Sequence, residues 1–578
     1  MIPFRYHLLL CYKSPDSGCA EGELARPGAQ TLDGLTDMSM ESDSSECECS
    51  CDCESTKCEA IDFYIRLYEM KGLTNCMHKL FIKPLNISIE AQDNETLLSA
   101  QIRAGLSPDA PCGGQGTCGK CLVKIIDETG TENIVKACQY KITSDTTIEL
   151  LPQEESSKIL EKGIKRSVAV APYVSEGYGA AFDIGTTTVV CYLIDLKTGQ
   201  QVSHASILNP QRQFGADVIS RCEYALANGV ETLSSVIKSA LNDLIKQVCA
   251  DASIDIKNIN IISVVGNTCM HHLLLNIDPK SLTVAPYEAV VRDEQIMKAS
   301  DIGLDASEDA MVLVLPNIAG FVGADTVGCM LATQFDQLDE LSLMIDIGTN
   351  GEMVMGNRNR MITCSTAAGP AFEGAKIDCG MRGENGAIDH VRCVDGKLEC
   401  HVIGDDKARG ICGSGLMDAV AASLDAEIID ETGRIDEENE SVFALPENNQ
   451  LAIKLAGNVY LSQKDIREVQ LAKGAIAAGI ELMADELKIK INDIKKVYIA
   501  GAFGNYMNPH SACRIGLLPA ALEEKITMIG NAAGEGSQIA LVNYNEFLHA
   551  QELIDKIDFI ELASSPDFQD VFIDQLMF

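Results

Sequence analysis

Basic residues and long apolar runs are both scarce in this chain. Of its 578 residues, 46 are Lys or Arg and 84 are Asp or Glu, which gives a formal net charge of −38. Binding to nucleic acid needs Lys and Arg clustered on one face, so we expect no nucleic-acid partner. A partner with a basic docking surface fits better, although a charge of this size also serves solubility alone. No apolar run approaches the ~18 residues that cross a bilayer, so we expect a cytoplasmic protein with no membrane partner.

The even cysteine density of a secreted disulfide scaffold is missing as well. Of the 23 cysteines, eight precede residue 80, four lie between residues 112 and 138, and eleven are scattered singly from Cys191 to Cys513. Isolated cysteines in a reducing compartment behave as small apolar residues. Only the two dense groups therefore require a chemical explanation.

Residues 1–77 differ in composition from the rest of the chain, being rich in Ser, Asp, Glu and Cys. Such a segment cannot bury enough apolar area to offset the entropy lost on ordering. We expect a disordered tail or an upstream extension foreign to the natural product, because Met70 and Met77 are plausible alternative starts. A soft-metal site on the alternating cysteines of residues 47–53 is the other interpretation.

Residues 78–152 have the pattern of a small separate domain, and a polar stretch at 153–176 then serves as a linker. The alternation of apolar residues and the turn residues between them predict the elements of this domain. In chain order these are strands at 80–82 and 87–89, a helix at 96–104, and strands at 121–126 and 147–152.

A glycine-rich loop in this domain carries three cysteines. Cys112, Cys118 and Cys121 lie within ten residues that include four glycines, and Cys138 follows after a strand. Iron–sulfur clusters are held by Cys thiolates, which a flexible loop brings together easily. The spacing C-x5-C-x2-C-x16-C is one residue longer in its first interval than the plant-type [2Fe–2S] pattern. Structural zinc is the alternative, but a zinc ribbon has two CxxC pairs and only one is present.

Two similar turns with the pattern Asp-x-Gly-Thr, called Asp-Gly-Thr turns below, lie 163 residues apart in segments 181–188 and 344–351. Asp183 and Asp346 can each hold Mg²⁺ through its water shell, and the turns after them offer N–H and hydroxyl groups to phosphates. The duplication predicts two similar lobes, 177–340 and 341–578. The candidate phosphate-binding residues are Gly185, Thr186 and Thr187 in the first turn and Gly348, Thr349 and Asn350 in the second.

A third glycine turn, with Gly501 and Gly504, follows a predicted strand and would let an adenosine lie flat against the backbone. A sugar kinase also needs an aspartate base that takes a hydroxyl proton. Asp325 can polarise a water or cap the helix that follows it, and both interpretations stay open. Because no sugar-binding set of residues accompanies it, the site favours a conformational cycle or slow hydrolysis over phosphorylation of a metabolite.

The three turns together resemble the phosphate-1, phosphate-2 and adenosine motifs of the sugar kinase, Hsp70 and actin superfamily. With the cysteine loop, the chain from Lys79 to Phe578 resembles the reductive activators of corrinoid proteins. The stretches that carry this resemblance are NPQ at 209–211, GADVISR at 215–221, GNTCMHH at 266–272, CGSGL at 412–416, and FIELA at 559–563 with Phe568 and Phe572. The resemblance implies an α/β multidomain protein with a β-grasp [2Fe–2S] ferredoxin domain followed by a two-lobed actin/Hsp70/sugar-kinase-like ATPase domain.

The resemblance also implies a function. It suggests an ATP-dependent reductive activator, with slow ATPase activity, that returns the inactive Co(II) corrinoid protein of a methyltransferase system to Co(I). Electrons would pass from an upstream donor through the [2Fe–2S] cluster, with ATP and Mg²⁺ in the large domain. A related group of activators carries C-terminal [4Fe–4S] cysteines, whereas only Cys513 follows residue 412 in this chain. A homodimer is compatible with the sequence.

Two other functions remain as alternatives. One is a ferredoxin-type redox relay whose ATP-like domain is only a docking module, and the other is an activator of a different low-potential enzyme. Adjacent His271 and His272 also raise the idea of a cobalt ligand, but the run 270–275 reads as a helix with a histidine on its polar side.

We expect anaerobically purified protein to be coloured, because iron–thiolate clusters absorb visible light and zinc does not. The measurement is a UV–visible spectrum together with iron and zinc content. Cys121→Ser should bleach the spectrum, and Cys513→Ser, which removes an isolated cysteine, should leave it unchanged. A colourless protein with one zinc per chain would contradict the cluster.

Overall fold

The computed structural model describes residues 77–83, 87–104, 121–126, 132–150 and 164–578, except 375, 406, 447, 502–505 and 563–564, together with positions 106, 108, 110, 114 and 116. The sequence predictions for residues 1–76 and for Cys112, Cys118 and Gly504 lie outside this set. None of the helices in the described part has both the length and the apolar character that spanning a bilayer requires.

The small N-terminal domain is one mixed sheet with a helix packed on it. Its strand order is β2-β1-β5-β3-β4, with β1 and β5 parallel and the other neighbours antiparallel, which is the β-grasp arrangement expected. The Thr96 hydroxyl caps the helix by accepting the Ser99 N–H at 3.1 Å. The elements are β1 (Met77–Lys83), β2 (Ile87–Gln92), α1 (Leu97–Arg103), β3 (Leu122–Ile126), β4 (Glu132–Lys136) and β5 (Thr146–Leu150).

The sequence pattern missed one strand of this domain. It predicted two strands after the cysteine loop, and the structure has three, because β4 pairs with β3. The whole of β4 is exposed or half-buried, so it lacks the alternation of apolar residues that marks a strand. Its place at the edge of the sheet explains this pattern.

The first lobe of the large domain has a six-stranded sheet with the order β10-β11-β9-β6-β7-β8. Strands β6, β7 and β8 form an antiparallel meander, and β9 and β11 continue the sheet in parallel with β6. The elements are β6 (Tyr178–Ile184), β7 (Thr188–Asp195), β8 (Gln200–Leu208), α2 (Val218–Asn228), α3 (Glu231–Ala252), β9 (Ile259–Gly266), α4 (Thr268–Leu274), β10 (Gln295–Lys298), β11 (Met311–Val314) and α5 (Ala324–Thr333).

The second lobe repeats this plan in a sheet with the order β22-β21-β12-β13-β14-β23. Two further three-stranded sheets, β16-β15-β17 and β18-β19-β20, belong to the same lobe. The elements are β12 (Ser342–Ile347), β13 (Gly351–Asn357), β14 (Arg360–Thr366), β15 (Ala387–Val394), β16 (Lys397–Val402), β17 (Gly410–Ile411), α6 (Gly413–Asp425), β18 (Val442–Ala444), β19 (Leu451–Lys454), β20 (Tyr460–Ser462), α7 (Gln463–Leu487), β21 (Lys496–Ala500), α8 (Pro509–Arg514), β22 (Ile526–Gly530), α9 (Ala532–Val542), α10 (Tyr544–Ile554), β23 (Ile557–Phe559) and α11 (Phe568–Asp574).

The two lobes are structural repeats, as the paired turns predict. In the second lobe, β12, β13 and β14 form the antiparallel meander, and β21 and β22 extend it in parallel. Each Asp-Gly-Thr turn connects the first two strands of its meander, so equivalent loops occupy equivalent places in the two lobes. The two-lobed ATPase architecture implied by the resemblance is thereby confirmed.

Helices α5 and α9 cross between the two sheets at a contact of two glycines. A Cβ on Gly536 would lie 2.2 Å from the Gly328 carbonyl oxygen, and a Cβ on Gly328 would lie 2.8 Å from that of Ala533. The apolar cluster around these helices includes Tyr192 from the first sheet and Met344 from the second. The shared core therefore joins the lobes, and only glycine permits so close a helix crossing.

The described part of the predicted linker, residues 164–176, lies against the second lobe. Arg166 makes a two-pronged ion pair with Glu546 at 3.0 and 2.6 Å, with both side chains largely buried. The N–H of Ala171 donates to the Val542 carbonyl at 2.9 Å. These contacts fix the path of the chain into β6.

Gly536→Ala should lower the apparent Tm by about 5 °C, because the added methyl forces two packed helices apart at a cost of about 2 kcal/mol. The better helix propensity of Ala offsets only about 1 kcal/mol. Gly383→Ala is the control, since its Cβ would come no closer than 3.9 Å to a neighbour, the Ile403 side chain. Thermal unfolding measures both variants, and equal Tm values would contradict the close crossing.

Candidate functional site

Two of the four predicted cluster cysteines, Cys121 and Cys138, belong to the described residues. The N–H of Ala137, the residue before Cys138, donates to the Cys121 carbonyl at 2.7 Å, so the two chain segments lie side by side. Both cysteines are buried. A Cβ on Gly114 of the loop would lie 3.8 Å from the Cβ of Cys138, so the loop also reaches this cysteine.

The loop is further held by its own backbone and by a lysine. Gly114 and Gly116 have φ angles of +85° and +80°, a region that favours glycine. The Lys136 ammonium donates to the Gly116 carbonyl at 3.3 Å. The structure thus places Cys138 against Gly114 of the glycine-rich loop.

The large domain brings three aspartates together in the cleft between its lobes. Asp183 is the penultimate residue of β6, and Asp346 has the equivalent position in β12. Asp325 lies in the first turn of α5. Burial, with the charge of Asp325 second, raises the pKa of Asp183 to about 7. Burial, followed by the charges of Asp325 and Asp183, raises the pKa of Asp346 to about 7. The mutual effects show that the carboxylates are close enough to repel one another.

The sequence left two possible roles for Asp325, which were to cap the following helix or to polarise a water. The N-cap of α5 is Gly323, so Asp325 does not cap the helix as the N-cap residue. Its carboxylate accepts the N–H of Thr326 at 2.8 Å, and burial raises its pKa to about 6. The residue as a whole is half-buried. It can therefore meet a water or a ligand in the cleft.

Glu352 is an acidic residue of the site that the sequence reasoning missed. It lies opposite Asp346 in the β12–β13 pair, and its pKa is raised by burial and then by Asp325 and Asp346. The signal was present in the sequence, because a tight turn at 348–350 places residues 346 and 352 across from each other. Cys329 of α5 also faces this group, with its Sγ 4.0 Å from Asp346.

The carboxylates fit a magnesium site of the water-mediated kind. Among the residues with described positions, no three His, Cys, Asp or Glu side chains are arranged to ligate one metal ion directly. Mg²⁺ usually keeps several of its waters and takes one or two carboxylates together with phosphate oxygens. Buried carboxylates that lie close enough to repel one another are stabilised by such a cation.

The turn after Asp183 is braced by residues from three of the motifs that carry the family resemblance. The Asn209 side chain donates to the Gly185 carbonyl at 2.8 Å. The Asn267 side chain donates to the Thr186 hydroxyl at 2.9 Å, and the Arg221 guanidinium donates to the Thr186 carbonyl at 2.5 Å. One residue from each of these motifs therefore helps to fix the turn after Asp183.

Arg221 is notable among these bracing residues because it is fully buried. Its remaining hydrogen bonds include one to the Gly215 carbonyl at 3.1 Å and one to the Met270 sulfur at 3.2 Å. Burial lowers its pKa to about 10, so it stays protonated at neutral pH. A positive charge thus lies directly behind the turn that faces the cleft.

The second lobe supplies the matching turn and the predicted adenosine loop. Gly348 closes its turn by donating to the Asn350 carbonyl at 3.0 Å. Gly501 follows β21 with a φ of +91°, and a Cβ there would lie 2.6 Å from the Asp346 carboxylate. Glycine is therefore required at this position both by backbone conformation and by contact with the carboxylate.

The two adjacent histidines are not arranged as expected. The run does form a helix, α4, but all its residues are buried, so neither His271 nor His272 lies on a polar side. Burial lowers the pKa of His271 to about 3 and that of His272 to about 4. His272 accepts the Val290 N–H at 3.1 Å. Both are neutral packing residues, and neither could reach an external cobalt unless α4 opened.

Comparison with known proteins finds a matching family model for the small N-terminal domain and for each lobe of the large domain. Residues 80–143 match a 2Fe-2S iron-sulfur cluster binding domain, residues 178–338 match the RACo middle region, and residues 340–578 match the C-terminal ASKHA domain of RACo. The matched regions coincide with the β-grasp domain and the two lobes. A [2Fe–2S] cluster and ATP are the cofactors of these domain types.

Individual relatives match this chain over most of their own length. The chain is 35% identical to the corrinoid activation enzyme RamQ of Eubacterium limosum, over 82% of this chain and 94% of the relative. It is 28% identical to the [Co(II) methylated amine-specific corrinoid protein] reductase of Methanosarcina barkeri, over 69% and 77%. The solved structure of a reductive activator for corrinoid, iron-sulfur protein matches with a TM-score of 0.64 and 30% identity, over 87% of this chain and 98% of that one.

Without divalent cations, Asp183→Asn should gain stability relative to the wild type as the pH rises. The folded pKa of Asp183 is about 7 against an ordinary 3.8, so folding favours the protonated form. This stabilisation is fully present below pH ~3.8 and is lost as the pH rises through about 7. Between pH 5 and pH 8, the stability difference should move by about 2 kcal/mol in favour of the variant.

Thermal unfolding in EDTA at the two pH values measures this difference. Asp309→Asn is the control, because that side chain is 90% exposed in the same lobe. A difference between wild type and Asp183→Asn that is equal at both pH values would contradict the raised pKa.

Proposed function

The chain belongs to the family of reductive activators of corrinoid proteins, and we propose that it uses ATP to drive an electron from its [2Fe–2S] domain onto a corrinoid protein, converting Co(II) to Co(I). The observation that carries this proposal is the combination within one chain of a cluster domain and a cleft lined by two Asp-Gly-Thr turns and three carboxylates. The upstream electron donor, the methyltransferase system of the partner and the cytoplasmic location are parts of the same proposal.

The proposed cluster ligands are Cys112, Cys118, Cys121 and Cys138. Burial of Cys121 and Cys138, and the contact between Cys138 and the glycine loop, support this set. When bound, the cluster carries one electron at a time. The chain itself would hold the cluster in a dry pocket, with backbone N–H groups of the glycine loop available to the sulfurs.

The proposed nucleotide site lies in the cleft. Asp183 and Asp346 would hold Mg²⁺ through its waters, and Asp325, with a pKa of about 6, can accept the proton of a water that attacks the terminal phosphate. Bound Mg²⁺ neutralises phosphate charge. The residues proposed to contact phosphates are Gly185, Thr186, Thr187, Gly348, Thr349 and Asn350, and those proposed to contact adenosine are Gly501 and Gly504.

ATP can assist an uphill electron transfer only if it favours the protein conformation that the Co(II) partner also favours. The geometry suits this requirement, because the phosphate turns belong to different lobes and a ligand that contacts both favours a closed cleft. Each tenfold difference in ATP affinity between open and closed states supplies about 1.4 kcal/mol. A few such factors are enough to change which state of the corrinoid partner is bound.

MgATP should accelerate the reduction of Co(II) corrinoid protein at least tenfold in the presence of an excess of reductant. Asp183→Ala should abolish the acceleration, because it removes a cation-holding carboxylate, while the cluster spectrum stays intact. The measurement is the appearance of the Co(I) absorption band with and without MgATP.

Asp309→Ala, which removes an exposed carboxylate of the same lobe, is the matched control and should behave as the wild type. Equal rates with and without MgATP would remove the activator function. That result would favour a simple redox relay.

A further inference from the structure

A single glutamate connects the two phosphate-binding turns across the cleft. One carboxylate oxygen of Glu373 accepts the Thr187 hydroxyl at 2.7 Å, and the other accepts the Thr349 hydroxyl at 2.7 Å. Thr187 belongs to the first lobe, and Thr349 and Glu373 belong to the second. The contact therefore spans 186 positions of sequence and joins the very turns that are proposed to bind phosphate.

The backbone of Glu373 is firmly anchored. It ends the 3-10 turn Pro370–Glu373, in which Ala371 and Phe372 are 2% and 3% exposed and pack in the core of the second lobe. The N–H of Gly374 closes this turn by donating to the Ala371 carbonyl at 3.0 Å. Because the backbone is held, the carboxylate can leave the turns by rotation of its side chain alone.

The carboxylate lies where a phosphate would approach. A Cβ on Gly348 would be 3.9 Å from the Glu373 Oε1, so the carboxylate lies over the glycine of the second turn, which has no side chain to shield it. A threonine hydroxyl has one hydrogen to donate, and both carboxylate and phosphate oxygens only accept. Glu373 and a phosphate group therefore compete for the same two donors.

One buried positive charge interacts with the Glu373 carboxylate. The fully buried Arg221, which holds the Thr186 carbonyl from behind, also interacts electrostatically with Glu373. If the Glu373 carboxylate moves away, the same positive charge faces an incoming phosphate.

We propose that Glu373 is a positioning residue that holds the two phosphate-binding turns together before nucleotide binds and is displaced by the phosphates of ATP. This inference rests on the proposed binding of ATP at these turns. Replacement of an internal contact by a ligand contact gives the cleft two distinct closed arrangements, which is what a nucleotide-dependent conformational signal requires. It also makes phosphate groups, and not adenosine, the part of the nucleotide that switches the protein.

The test compares binding of MgATP and of adenosine to the full-length, cluster-loaded chain by calorimetry. Glu373→Gln removes the competing charge with little change of shape, and we expect MgATP to bind about tenfold more tightly while adenosine affinity is unchanged. Glu373→Asp keeps the charge on a shorter side chain that cannot span both hydroxyls, and it should fall between Gln and the wild type. Glu481→Gln, at an exposed glutamate of α7, is the matched control and should not differ from the wild type.

Weaker MgATP binding in Glu373→Gln would overturn the proposal, because it would make Glu373 a ligand for the cation or the nucleotide. Unchanged MgATP affinity with lost ATP turnover would also overturn it, since Glu373 would then orient the attacking water. If the wild type binds no ATP, binding that appears in Glu373→Gln would support the proposal. Absence of binding in both proteins would reject this inference and the proposed ATP site together.

Discussion

The burial of Asp183, Asp325 and Asp346 close to one another is the constraint on which the proposed nucleotide site depends. Their pKa values of about 6 to 7 mean that at neutral pH the cleft holds carboxylates whose charges are poorly compensated. A divalent cation with bound phosphates would relieve the repulsion between these carboxylates, and its binding would then favour closure of the proposed site. The hydrogen bonds that brace the first turn include those that Arg221 and Asn267 donate to Thr186.

The duplicated fold explains why the acidic residues meet. Each lobe presents its Asp-Gly-Thr turn at the same place in an equivalent meander, and the shared core between the sheets sets these turns opposite each other. Helix α5 contributes Asp325 from its first turn, and its crossing with α9 depends on Gly328 and Gly536. These two glycines are therefore as important to the position of α5 as Asp325 is to the acidic site.

Local patterns in the sequence were sufficient to predict structure that depends on neighbouring residues. The two lobes, the β-grasp domain and the helix at residues 96–104 could all be predicted in this way. Contacts between distant segments could not. The two hydrogen bonds of Glu373 join turns in different lobes. Arg221 was recognised in the sequence only as the last residue of the GADVISR motif, and its contact with Thr186 was not predicted. The burial of His271 was also hidden, because a polar residue in a short helix suggests a surface.

The proposed function requires ATP and the Co(II) corrinoid protein to prefer the same conformation of this chain. Linkage requires the effect to be reciprocal, so MgATP must raise the affinity for the corrinoid partner by the factor by which that partner raises the affinity for MgATP. The most direct measurement is the Kd of the full-length protein for Co(II) corrinoid protein with and without MgATP. We expect binding at least fivefold tighter with MgATP, a coupling of about 1 kcal/mol. Equal Kd values under both conditions would contradict it.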